Sequence, residues 1–364
     1  MKQQGKPKRK KIIIIAAVLL LLLLTAPGVV SVVLYNQYFG ARYETKEYLA
    51  LKLDEFPGLS REDHKFVSDK GQTLKGYYYT SEGVSVHGIL ILAHGFGGGG
   101  HNSYMDVADF FARNGYGVFC FDATGNDESE GDGTEGMPQG LIDLDYAINY
   151  VENSDAFPDL PIVLWGHSWG GYCVSSVLSL HPEVKAATVL SGFDKTSYLI
   201  EAQGEQMVGC LIHVCIPYVN LYEKIKFGSY ADYTGHAGFE NSDTAVMIIQ
   251  GAEDDVVPAS YGYDLWYEEF ENDSRFTFIM RDGFGHQDVY YSEEAVSYIE
   301  NINSDLKAWG ESLDYDYKSE ENRDRFNEEM ANWITEHLDR DVWTHIIDED
   351  LMSDVLDFYN DNIG

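Results

Sequence analysis

The chain's architecture turns on Pro161-Ile162-Val163-Leu164-Trp165-Gly166-His167-Ser168-Trp169-Gly170-Gly171-Tyr172-Cys173-Val174. The first five residues form a nearly continuous apolar run, as expected for a strand buried on both faces. From Trp169 onward the apolar residues recur at helical spacing, so strand and helix meet across a turn centred on Ser168. Such a turn holds its central residue in a strained backbone geometry, and the backbones around it crowd so closely that small neighbours are needed. Gly166, Gly170 and Gly171 supply that room. The Ser168 hydroxyl then stands at a helix N-terminus, where free N–H groups and the dipole favour developing negative charge.

Outward from this point, short apolar runs alternate with helical periodicity. Strands are expected near 65–69, 74–80, 88–93, 117–121, 161–165, 186–190, 245–250 and 276–280, and helices near 103–114, 139–152, 169–180 and 259–271. Strand-helix-strand alternation predicts an α/β class domain over 61–364, with right-handed crossovers in a mostly parallel eight-stranded sheet flanked by helices. The rhythm breaks after the sixth strand, where residues 194–243 form a long insertion of the kind that caps a site. Residues 310–345 are strongly acidic and are expected to form a solvated helical insertion. A final helix near 347–360 carries Leu351, Val355 and Phe358 as an apolar stripe that packs back on the sheet.

A serine hydroxyl is a weak nucleophile at neutral pH, so it needs a general base, and the base needs an acid to fix its tautomer. The strand Ala245 to Gln250 runs into Gly251-Ala252-Glu253-Asp254-Asp255, which offers Asp254 as the acid; Asp194, at the end of the preceding strand, is the alternative. The last strand leads through Arg281-Asp282-Gly283-Phe284-Gly285 to His286, the expected base. Donors for an oxyanion are expected from the N–H of Trp169 and from that of Phe96, in the glycine-rich turn His94-Gly95-Phe96-Gly97-Gly98-Gly99-Gly100. That turn also fits a phosphate-cradling loop, weakly, because no acidic ribose partner stands at the expected distance. The acidic stretch 127–135 lacks the spacing of a calcium loop, and no HExxH or Cys/His cluster points to a metal. No cofactor is expected.

The four motifs in this order (strand-HGFGG, strand-GHSWGG with its nucleophile elbow, strand-QGAEDDVVP and strand-DGFGHQ) resemble the α/β-hydrolase superfamily. Within it the chain looks most like the serine aminopeptidase and monoacylglycerol-lipase-like (lysophospholipase-like) branch, over about 65–300 and the final helix. The resemblance implies Ser168 as nucleophile, Asp254 as acid, His286 as base, and Phe96 and Trp169 as oxyanion donors. The chain departs from the family's usual Asp-x-Arg-Gly-x-Gly-x-Ser at Asp122-Ala123-Thr124-Gly125-Asn126-Asp127-Glu128-Ser129, where the arginine is missing.

With 25 Lys and Arg against 60 Asp and Glu over 364 residues, the formal charge is −35, which excludes a nucleic-acid footprint. Six of the basic residues lie within the first eleven. The 23 uncharged residues of 12–34 that follow reach ~35 Å as a helix, enough to cross a ~30 Å hydrocarbon core. Basic residues before this segment and none until Arg42 predict a signal-anchor over 12–35 after a cytoplasmic 1–11, with a juxtamembrane stretch at 36–60 and the domain outside the cytoplasm. A signal peptide cleaved near Val29-Val30-Ser31 is the competing expectation. Cys120 and Cys173 are expected as buried thiols, and a Cys210–Cys215 bridge is open. The expected substrates are a small acyl ester, a lipid or a peptide. Met207, Val208, Leu211, Ile212, Val214 and Ile216 suit a lipid, and Glu201, Glu205 and Glu240 are candidate partners of a peptide ammonium. A binding protein that keeps the fold without catalysis is the alternative from another class.

Overall fold

The computed structural model describes residues 6–364, without the side chains of 6–9 and 22–24. Part of the basic N-terminal run, Lys2 included, therefore lies outside the described residues. A helix, α1 (Lys6–Phe39), precedes strands β1 (Leu59–Val67), β2 (Thr73–Ser81) and β3 (Gly88–Ala93). Then come α2 (Met105–Arg113), β4 (Tyr116–Phe121), α3 (Met137–Asn153), β5 (Ile162–His167), α4 (Trp169–Val177) and β6 (Ala186–Leu190). Two helices follow, α5 (Thr196–Val208) and α6 (Ile212–Phe227), with the short α7 (Gly235–Glu240) leading to β7 (Ala245–Gly251). The chain ends with α8 (Tyr263–Phe270), β8 (Phe276–Arg281), α9 (Glu293–Glu311), α10 (Arg323–His337), α11 (Arg340–Trp343) and α12 (Glu349–Asn362).

The eight strands form one sheet in the order β1-β2-β4-β3-β5-β6-β7-β8. Pairings from β4 through β8 are parallel, and β2 joins β1 and β4 antiparallel. Strands β3 to β7 are buried along their whole length, which explains their unbroken apolar runs. Both faces are covered. Leu141, Trp169, Tyr172, Val174 and Trp266 pack on one, while Phe111, Val355 and Tyr359 pack on the other.

Two elements differ from expectation. β1 begins at Leu59, ahead of residue 65 and inside the stretch expected as juxtamembrane, because this edge strand exposes most of Ser60 to Lys65 and carries little apolar signal. The acidic helical excursion likewise starts at Glu293, well before 310. Trp309 stacks against Phe326 and Trp333, so α9 and α10 hold together through a small aromatic cluster of their own. All four cysteines are free thiols: Cys120 and Cys173 are buried, while Cys210 and Cys215 lie at the α5–α6 turn and on α6 without bridging.

Helix α1 is long and apolar enough over Lys10–Phe39 to cross a membrane. Its last turns belong to the folded domain. Ser31, Tyr35 and Phe39 are buried, the Tyr35 hydroxyl donates to Glu223 Oε1 at 2.8 Å, and Thr196 at the start of α5 donates to Glu223 Oε2 at 2.6 Å. Burial pushes the Glu223 carboxyl up to about 7 from an ordinary 4.5, an effect that these two hydrogen bonds only partly offset. The unfolded chain loses this proton near pH 4.5 and the native one near pH 7, so native stability falls across that window and the cost of the buried charge is complete above it. At ~1.4 kcal/mol per pKa unit the effect is a few kcal/mol. We expect Glu223→Gln, which cannot ionise, to gain in melting temperature over wild type on going from pH 5 to pH 8. An identical difference at both pH values would refute the buried charge.

Candidate active site

Ser168 closes the turn between β5 and α4 with φ at +58°, a left-handed value that a non-glycine residue adopts at a cost. Its N–H donates to Leu190 O at 2.8 Å, pinning the turn to the neighbouring strand. A Cβ on Gly166 would lie 2.3 Å from the Gly170 carbonyl oxygen, and one on Gly170 would lie 2.0 Å from that of Ala93. No side chain fits at either position. Trp169 is the first residue of α4, so its N–H has no intrahelical partner.

Asp254 lies in the loop after β7. The N–H groups of Val256 and Val257 donate to its Oδ1 at 3.0 and 2.7 Å, and Gln250 Nε2 donates to Oδ2 at 3.1 Å. His286, in the loop after β8, sets Nδ1 2.8 Å from Asp254 Oδ2 and Nε2 2.8 Å from Ser168 Oγ. A carboxylate accepts only, so Nδ1 carries the proton and Nε2 is left to accept from the serine hydroxyl. Burial alone would raise the Asp254 carboxyl. The hydrogen bond and charge of His286, together with the Val257 N–H, outweigh it and hold the group below the usual carboxylate range. All three side chains are buried, with Ser168 only 8% exposed. Asp194, the alternative acid, is engaged elsewhere: its Oδ1 accepts from the His236 N–H and from Trp266 Nε1 at 2.7 and 3.2 Å.

Phe96 sits in the turn after β3, and its ring stands edge-on to that of Trp169 at 5.6 Å between centroids. The turn is tied to the base through Tyr104 and His167, whose part in this no local motif reveals. The Gly95 N–H donates to the Tyr104 hydroxyl at 3.0 Å, Tyr104 lies 3.0 Å from His167 Nδ1, and His167 Nε2 lies 2.8 Å from the His286 carbonyl oxygen. Because that carbonyl can only accept, His167 bears its proton on Nε2, and Tyr104 donates to Nδ1. Burial lowers the His167 imidazole to about 3, so the ring stays neutral and the chain of donors keeps one direction. His167 lies within the quoted motif, yet only its position between two loops gives it this role.

A family profile described as alpha/beta hydrolase fold matches residues 88–209. The chain has the α/β-hydrolase fold. Among solved structures, an esterase from Pyrococcus furiosus is similar at 15% identity and a TM-score of 0.52, covering 74% of this chain and 97% of its own. An α/β hydrolase from Vibrio vulnificus is similar at 17% identity and a TM-score of 0.53, covering 74% and 91%. No curated protein matches the chain in sequence.

The arginine missing from the loop after β4 of this hydrolase fold is replaced from a distance. Arg42, just past α1, donates to the carbonyl oxygens of Asp127, Ser129 and Gly131 at 2.7, 3.0 and 2.6 Å. The Thr45 N–H and hydroxyl both donate to the Asp127 carboxylate, at 2.6 and 2.7 Å, and the Gly100 N–H donates to it at 2.8 Å. Tyr38, Phe39 and Tyr43 surround the Phe96 ring, with centroids 5.0 to 5.8 Å away. The segment after α1 therefore straps the glycine-rich turn. We expect Arg42→Ala to cost about 1 kcal/mol of stability and to speed proteolytic nicking within 127–131; an unchanged cleavage rate would show that the strap carries no load there.

Among the described residues, three groups bring histidine and carboxylates within reach of one ion: Glu152/His181/Glu183, Glu201/Glu205/His213 and His236/Glu240/Glu269. Each already holds a histidine nitrogen 2.7 to 3.6 Å from a carboxylate oxygen, and none includes Ser168, Asp254 or His286. The acids considered as partners for a peptide ammonium are thus paired with histidines.

Proposed function

We propose that this chain is a membrane-anchored serine hydrolase that cleaves carboxylic esters through an acyl-enzyme, with Ser168, His286 and Asp254 as its triad. The observation that carries this is the Ser168 Oγ to His286 Nε2 contact at 2.8 Å, backed by Asp254 at the same distance from Nδ1. Ser168 Oγ attacks the ester carbonyl as its proton passes to His286 Nε2, and the N–H groups of Phe96 and Trp169 receive the oxyanion. Collapse breaks the bond to the alkoxy group, which leaves as an alcohol with the proton from His286. Water then attacks the acyl-enzyme with His286 again as base, releasing the carboxylic acid and restoring Ser168. Asp254 holds the imidazole tautomer and balances the imidazolium charge.

The branch we favour is the monoacylglycerol-lipase-like one, with a lipid or other acyl ester as substrate. The apolar surface of α5 and α6 supports it, and the pairing of Glu201, Glu205 and Glu240 with histidines weighs against a peptide-ammonium site. The basic residues before the apolar run of α1 support a cytoplasmic N-terminus and a hydrolase domain outside the cytoplasm. Fluorophosphonate treatment of the full-length protein, followed by peptide mass spectrometry, tests the chemistry. A phosphonate adduct on Ser168 is expected. A folded protein that takes no label would favour a non-catalytic binding role on the same fold.

A further inference from the structure

The chain holds 60 acidic residues, yet from Gln206 to Tyr222 it has no Asp, Glu, Lys or Arg. This stretch forms the turn between α5 and α6 and most of α6. Five of its apolar side chains point outward: Met207 is 82% exposed, Leu211 67%, and Val208, Val214 and Leu221 more than half, while Val219 packs inward. Water is a poor neighbour for such a cluster at the tip of a helical hairpin.

The position of α1 supplies the neighbour. Ser31 Oγ lies 3.5 Å from the Cys215 carbonyl oxygen, and Gly28 admits the Tyr218 ring so closely that a Cβ there would lie 2.8 Å from it. Further along, Asn36 meets Tyr222 and Tyr35 meets Glu223. The contacts advance together along both helices, so α6 runs outward in the same sense as α1, and its first turn lies deepest. If the hydrocarbon core begins after Lys11, then Ile12 to Ser31 fills about 30 Å of it. Tilt would need a longer run and would carry the outer boundary past Ser31. Cys215 and Tyr218 therefore lie at hydrocarbon depth, and the turn ahead of them lies no shallower. Tyr38, exposed on the next turns of α1, and Tyr222 fall where an aromatic belt belongs. Nearest the tip, Glu201 and Glu205 each meet the His213 ring, at 3.6 and 3.1 Å, while Glu223, Lys224 and Lys226 stand at the far end of α6.

We infer that the tip of the α5–α6 hairpin is seated in the lipid hydrocarbon of the outer leaflet beside α1, so that the cap of this hydrolase is a membrane-inserted element. The inference rests on the reading of α1 as a membrane span. Cys210, exposed at the tip, is a natural reporter. The full-length protein with Cys215→Ser is labelled at Cys210 with an environment-sensitive fluorophore and reconstituted in phosphatidylcholine/phosphatidylglycerol vesicles with or without lipids carrying a nitroxide on the acyl chain. A second sample carries the label at Val18→Cys in α1, with Cys210→Ser added. Blue-shifted emission and strong nitroxide quenching at both positions is the expected result. Quenching at position 18 with water-like emission at Cys210 overturns the inference and leaves the span intact. A Cys210 label shielded from water yet unquenched means that a protein surface, such as a second copy, covers the tip, and this too overturns it. Loss of quenching at both positions removes the span and the inference with it.

Discussion

Ser168→Ala is expected to lower ester turnover by about 10⁶-fold, to the residual rate that binding and an oxyanion site sustain without a nucleophile. The size follows from how the three side chains are joined. His286 can take a proton only from Ser168 Oγ, 2.8 Å away, and with that oxygen removed the correctly protonated imidazole has no nucleophile to activate. Folding should be nearly untouched, because the Ser168 N–H to Leu190 bond is made by the backbone and survives the substitution. Alanine must still accept φ near +58°, so a small fall in melting temperature is expected beside the large fall in kcat. Steady-state kinetics on an acyl ester, with circular dichroism as the folding control, measures both. Full activity in a folded Ser168→Ala protein would remove Ser168 from the chemistry.

The second large effect separates the two acids that the sequence leaves open. Asp254→Asn should reduce kcat by about 10⁴-fold, since an amide presents a donor that pairs with the wrong imidazole tautomer, and the proton then sits on the nitrogen facing Ser168. Asp194→Asn should leave turnover within about tenfold of wild type, because Asp194 binds the His236 N–H and Trp266 rather than His286. Its cost should appear as stability instead. A reversal of the two kinetic results would transfer the acid role to Asp194.

The sheet was legible because strands β3 to β7 are buried on both faces, and their sequences say so without ambiguity. β1 was blurred because Arg61, Glu62 and Asp63 stand exposed on an edge, where water tolerates any polar sequence. Helix α9 escaped notice for a related reason: over Glu293–Glu311 only Ala295 and Gly310 are buried, so little apolar periodicity is needed. Ser168, Asp254 and His286 could be proposed from sequence because each stands just past the end of an apolar strand, Ser168 in a turn that only glycine neighbours permit. His167, Tyr104, Arg42 and Glu223 could not. Their roles arise from contacts between segments tens to hundreds of residues apart, which no local spacing records.

If α1 is the proposed membrane anchor, the strap of Arg42, Tyr43 and Thr45 bears on how the proposed hydrolase is deployed in a cell. Many surface proteins are released by a cut in the linker between span and domain, and the shed domain goes on working. In this protein the linker is part of the working domain: residues 35–45 wrap the turn that carries Phe96, and Leu49 and Ala50 are held further on by Trp343 and Arg340. A protease that severed it would release a damaged enzyme. On the proposed reading of α1 as an anchor, activity would be confined to the place where the chain is inserted.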